Sequence, residues 1–260
     1  VALVISLVLA ILARRGRSLL ACMLASGAAV AAGWYMLTTG RWSWTPHQPA
    51  EMLLFLAAAA LLVALAVQWY APGRGPWPAL LVIAVGCAWW MAGAPTTRDA
   101  FDDASRTIIA IVAIVIVVAY LSGAMAGPAD PLKPVMASGA MAAGLHVVGA
   151  SSEWVMIALV PAAAALPLVL VPRLPAIAML PLAADLAAAG IAASLSIGRL
   201  AHLRVTSADA AVVSPVLALL LMPRVTLGCR RLGRLARPVA ALVCGALAVG
   251  VAYGVMRLRR

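Results

Sequence analysis

Between its arginine clusters the chain consists almost entirely of apolar runs, most close to the roughly 20 residues an α-helix needs to cross a bilayer. They read Val1–Ala13, Ser18–Thr38, Glu51–Tyr70, Ala79–Ala94, Thr107–Ala126, Leu132–Ala150, Trp154–Val171, Pro175–Ile197, Ala208–Met222 and Val239–Met256. A membrane β-barrel would instead show short segments of alternating polarity. A water-soluble core is excluded by composition. Only 10% of the residues are charged and 65% are hydrophobic, against about 25% and 45–50% in soluble domains. The expected fold is therefore all-α, a polytopic transmembrane helix bundle of about nine to ten membrane helices with short loops. Residues 1–260 read as one integral membrane domain. The run Val1–Ala13 is short for a span and reads as a first helix that has lost its beginning.

Helix breakers mark the joints: Pro46 and Pro49, Gly73 to Pro76, Gly127-Pro128, Pro131, Pro134 and Pro172. The eight tryptophans fall near predicted span ends, as an interfacial aromatic belt requires. Gly123 and Gly127, and Gly250 and Gly254, are spaced to let helices of the same chain approach closely.

The net charge of +11 comes from arginine, with Lys133 the only lysine. These charges sit in the gaps between runs. They act there as topology signals of a multi-pass inner (plasma) membrane protein, not as a nucleic-acid surface. The densest segment carries Arg224, Arg230, Arg231, Arg234 and Arg237. Its expected partners are anionic lipid headgroups, beside the lipid bilayer itself and possible membrane-protein partners. Cys22, Cys87, Cys229 and Cys244 show neither a CxxC pair nor Cys/His spacing. No metal site, disulfide framework or cofactor is expected.

One ionisable side chain stands apart. Asp185 lies near the middle of the Pro175–Ile197 run, and no second acid occupies comparable depth. A central acid costs about 2.5–3.5 kcal/mol on insertion scales, and such acids mark ion paths or proton relays when they face a cavity. The competing reading is a hydrogen-bonded packing residue. His146, near the end of its own span, is a candidate internal partner for a proton or ion site with Asp185, beside Arg199, His202 and backbone carbonyls near the prolines. Glu51 and Glu153 open spans, where acids suit the helix dipole. Arg98, Asp99, Asp102, Asp103 and Arg106 read as a solvated polar loop.

Two resemblances bear on function. Gly149-Ala150-Ser151-Ser152 opens one span and Ala201-His202 precedes the span after next. This arrangement resembles rhomboid intramembrane proteases, which would make Ser151 the nucleophile and His202 its base. The chain departs from that pattern at Ser152, where the family has Gly, and it contains no Asn for the oxyanion site. The Val169–Leu186 stretch, with its Pro-Arg-Leu-Pro joint, is similar in composition to Ala-rich membrane subunits of type VII secretion systems. That resemblance implies a non-catalytic subunit of a larger assembly. The balance of motifs is against an enzyme. The leading expectation is a transporter or permease-like protein with Asp185 as proton or cation site, and Pro161, Pro167 and Pro181 as helix discontinuities near it.

Overall fold

Each apolar run forms a helix. A computed structural model describes residues 1–16, 19–38, 49–70, 75–124, 130–171, 174–200, 209–228 and 236–258. Among these, ten α-helices occur: α1 Ala2–Gly16, α2 Leu19–Thr38, α3 Pro49–Tyr70, α4 Trp77–Met91, α5 Arg98–Leu121, α6 Leu132–Val147, α7 Ser152–Ala165, α8 Leu180–Leu200, α9 Asp209–Gly228 and α10 Ala236–Leu258. A 3₁₀ turn, Leu166–Leu170, continues α7, and a second, Ala176–Met179, leads into α8. Five of these stretches are long and apolar enough to cross a membrane: Leu19–Leu37, Pro49–Tyr70, Arg98–Leu121, Ser152–Leu170 and Ala176–Ser196. The protein is a polytopic membrane helix bundle.

The Asp185 helix is its hub. α8 packs against α2, α3, α4, α5, α6, α7 and α9. Lipid tails are as apolar as leucine, so helices in a membrane associate through close packing of small side chains rather than hydrophobic burial. The sequence of α8 provides for this: Ala183, Ala184, Ala187, Ala188, Ala189, Ala192 and Ala193 are all buried. Small residues on every face let neighbours approach from every side. The α2 helix uses glycine to the same end. A Cβ added at Gly33 would lie 2.6 Å from Val160 Cγ1, and one at Gly27 would lie 2.9 Å from Leu61 Cβ.

Three prolines shape the backbone of α7 and of the two 3₁₀ turns beside α8, and the carbonyl each one frees finds a side-chain donor elsewhere. Pro161 lies inside α7 and removes the N–H that would serve the carbonyl four residues earlier. That carbonyl, Ile157, accepts instead from Trp34 Nε1 at 3.0 Å. In a 3₁₀ turn the missing donor is three residues on. Ala164, three before Pro167, accepts from Ser6 Oγ at 2.5 Å. Ala178, three before Pro181, accepts from Ser26 Oγ at 2.6 Å. In hydrocarbon an unsatisfied backbone group costs several kcal/mol, which neighbouring helices must offset. These bonds tie α1 and α2 to the irregular backbone flanking α8.

Four expectations are revised. The polar Arg98–Arg106 segment is helical, forming the first turns of α5 beneath the N-cap Thr97, whose side chain accepts from Ala100 N at 3.4 Å. Its five charged side chains are exposed on those turns. Gly123 is not on a helix face. With φ of 80° it terminates α5, where left-handed backbone favours glycine. Gly250 and Gly254 make no close packing either, because a Cβ at either position meets nothing within 4 Å. Trp34 is fully buried as a carbonyl donor, whereas Trp69 and Trp77 keep the exposed character of a membrane belt. Finally, Pro181 does not kink a helix interior. It sits in the first turn of α8, where its missing N–H is tolerated.

Candidate functional site

Asp185 follows Ala176 by nine residues and precedes Ser196 by eleven, so it sits near mid-membrane in its apolar stretch. Only 1% of its surface is exposed. Even so, Oδ2 finds no hydrogen-bond partner among the described residues. A buried acceptor left in this state costs about 1–3 kcal/mol.

Asp185 is one of the residues that line a cavity of about 250 Å³ between α3, α4 and α8. Ala184 and Ala188 flank Asp185 on the α8 side. Leu56, Ala59, Ala60 and Val63 form the α3 wall, and Val82, Ile83, Gly86, Cys87, Trp89 and Trp90 the α4 wall. The α3 residues lie near the middle of their helix, whereas Trp89 and Trp90 lie in the last turn of α4. The gap stays open where Ala59, Ala60, Gly86, Ala184 and Ala188 line it, because their side chains are too short to fill it. A Cβ at Gly86 would meet nothing within 4 Å.

Two indoles border this space and both are held. Trp89 Nε1 donates to the Pro95 carbonyl at 3.1 Å. The Trp90 ring lies 5.8 Å from that of Phe55, tilted by 39°. Besides the carboxyl, the Cys87 thiol is the only acidic group in the lining, and its sulfur lies 3.5 Å from Met91 Sδ. The α4 residues were not singled out as functional from the sequence. Their signal was Gly86 followed by Trp89 and Trp90 at helical i+3 and i+4 spacing, one face of a single helix.

The other candidate residues lie elsewhere. His146 is exposed in the last turn of α6 and does not line the Asp185 cavity. Ser151 is the exposed N-cap residue of α7 and makes no side-chain cap. Gly149 before it has φ of 77° and ends α6, with Ala150 N donating to the Leu145 carbonyl at 3.0 Å. His202 lies outside the described residues, as do Arg230, Arg231 and Arg234 and the side chains of Arg224 and Arg237. No group of three or more metal-ligating side chains occurs among the described residues. Cys22, Cys87 and Cys244 are in no disulfide.

A second, wider cavity of about 1060 Å³ runs between α6 and α10. Its lining is apolar and rich in small residues, including Gly139, Ala143, Gly245 and Gly250. Comparison with protein-family models, with curated proteins and with solved structures finds no match.

Proposed function

We propose that this multi-pass membrane protein is a transporter or permease-like carrier in which Asp185 is the proton or cation site. The observation that supports this reading is a buried acid near the middle of its apolar stretch, with Oδ2 unpartnered among the described residues, in the lining of a cavity. Intramembrane acids facing cavities serve ion pathways and proton relays. A structural acid would instead be spent on a neighbouring helix. A carboxyl group carries one exchangeable proton, so a monovalent cation arriving at Asp185 displaces that proton and leaves a neutral pair.

The test is reconstitution into proteoliposomes under an imposed pH gradient, read by an internal pH-sensitive dye. Alkali cations, permanently charged organic cations, organic anions and sugars are supplied in turn. The carrier reading expects at least one solute to accelerate proton movement through the wild-type protein, with Asp185→Asn at the background of empty liposomes. Rates independent of Asp185 across the panel overturn it.

The wide α6–α10 groove favours a second reading, a membrane subunit of a larger assembly. Its glycines leave an apolar helix face unfilled, the geometry that close helix association uses. This reading expects a complex in native membranes that Gly245→Leu dissociates; a monomer in both forms removes it. For the basic Arg224–Arg237 segment, the proposed partner is anionic lipid. Each arginine replaced by Gln should weaken binding to anionic vesicles by about 1 kcal/mol.

A further inference from the structure

The chemistry of the cavity narrows the cation, on the reading that Asp185 is a cation site. Hard metal ions are poorly served. Calcium takes about six to eight oxygen ligands, and magnesium demands a near-octahedral oxygen shell. The cavity supplies one carboxyl group, and its other walls are aliphatic, aromatic or thiol. It offers one negative charge, two indoles and otherwise apolar surface. This is the complement of an organic monocation with an apolar body. The two indoles offer the large apolar surface against which such a body packs.

The position of the opening points the same way. Gly86, Val82, Ala59 and Trp89 line the cavity and are exposed. Around them the exposed surface consists of Leu62, Leu81 and Val85, side chains that face acyl chains in a membrane bundle. The mouth is thus rimmed by apolar side chains and, in a membrane bundle, opens towards lipid rather than towards water. A ligand using it must first partition into the bilayer, which an amphiphilic cation does and an alkali ion does not. Size sets a further limit. At about 250 Å³ the cavity is below the roughly 300–1,000 Å³ of pockets for drug-sized ligands. One ring and a compact cationic head fit that limit.

We infer that the α3–α4–α8 cavity binds a small lipophilic organic monocation, taken from the bilayer, with the cationic head at Asp185 and the apolar body against Trp89 and Trp90. Binding exchanges charge one for one: the cation enters, the carboxyl proton leaves, and the site stays neutral.

Benzyltrimethylammonium is the probe, because it is permanently charged and cannot itself carry a proton across the membrane. Its neutral control is neopentylbenzene, which has the same shape without the charge. Titration calorimetry on the full chain in lipid nanodiscs should show one cation bound per protein. A pH dye in weakly buffered solution should show about one proton released. Asp185→Asn should weaken binding by at least about tenfold. Gly86→Leu should do the same with the carboxyl intact, since Gly86 lines the cavity and a Cβ there meets nothing within 4 Å. Neopentylbenzene should bind at least about tenfold more weakly than the cation. Absence of binding to the wild type, or equal binding to Asp185→Asn or to Gly86→Leu, overturns the inference. Equal affinity for neopentylbenzene does so too.

The two proposals fail separately. If another solute drives Asp185-dependent proton movement while benzyltrimethylammonium does not bind, carrier function stands and this ligand class falls. If the probe binds at Asp185 and no solute drives proton movement, the binding site stands and transport falls.

Discussion

The indole N–H of Trp34 lies 3.0 Å from the carbonyl of Ile157, the backbone oxygen that Pro161 deprives of its helical donor. Ser6 and Ser26 stand in the same relation to Ala164 and Ala178, next to Pro167 and Pro181. The first two helices thus supply hydrogen bonds that the proline-rich half of the bundle lacks. This allows irregular backbone to persist beside α8, the helix that carries the one buried carboxyl among the described residues.

Trp34→Phe should therefore destabilise the protein through a specific lost bond as well as lost volume. Interhelical hydrogen bonds in membranes are worth on average about 0.6 and at most about 1.7 kcal/mol. Adding Pro161→Ala supplies a backbone N–H to Ile157 and should recover that part. The measurement is a double-mutant cycle of unfolding free energies in nanodiscs, with a favourable coupling expected. If Pro161→Ala has the same effect with Trp34 as with Phe at that position, the two residues are not linked through Ile157.

Serine substitutions should divide by what the backbone can do without them. Ser138 Oγ is inserted into the α7 ladder, donating to the Ala158 carbonyl and accepting from Ala162 N at 3.1 Å. Ser138→Ala leaves those two groups free to bond each other at ordinary helical spacing, so the cost should be small, within about 0.5 kcal/mol. Ser26→Ala has no such remedy, because Pro181 has no N–H to return to Ala178. It should cost more, towards the upper end of the membrane range of about 1.7 kcal/mol. Thermal unfolding of the two variants in one lipid composition gives the order, and the reverse order contradicts this account.

How much of this was legible in the sequence follows from the range of each interaction. The helices were legible, because a span is a local property: the Glu51–Tyr70 run became Pro49–Tyr70, and Leu132–Ala150 became Leu132–Val147. Asp185 was legible as an exception within its own run. Its surroundings were not. Cys87, Trp89 and Trp90 lie about a hundred residues away, and nothing in either segment encodes their meeting. The role of Trp34 was concealed for the same reason, since a tryptophan near a span end reads as an interfacial anchor. Gly123 misled through spacing alone: four residues from Gly127 it suggests a packing face, yet its backbone has already left the helix.

Close helix approach gives a sharper packing test than any polar bond. At Gly33 an added Cβ would fall 2.6 Å from Val160 Cγ1 and 3.0 Å from the Ala2 Cβ, so α2 must move away from α7 and α1. Gly33→Val should cost about 1–3 kcal/mol, the range for overpacking a filled interior. Gly245→Val, where a Cβ meets nothing within 4 Å, should leave stability within about 0.5 kcal/mol. Parallel thermal melts of the two variants check the contrast, and equal losses would mean that the glycines of α2 are not packing determinants.

The decisive substitution is Asp185→Leu, because packing and function predict opposite signs for it. Leucine has similar reach, suits the apolar wall of the cavity and removes an oxygen that has no partner among the described residues. Replacing an unsatisfied buried polar group by an apolar side chain should recover about 1–3 kcal/mol. If Asp185 is kept for its chemistry, Asp185→Leu should melt at a higher temperature than the wild type and lose both cation binding and coupled proton movement. If the carboxyl instead tied α8 to a neighbouring helix, the same substitution would lower the melting temperature. A stability gain paired with loss of activity is the signature of a strained functional group, and unfolding curves measured beside the binding titration test it directly.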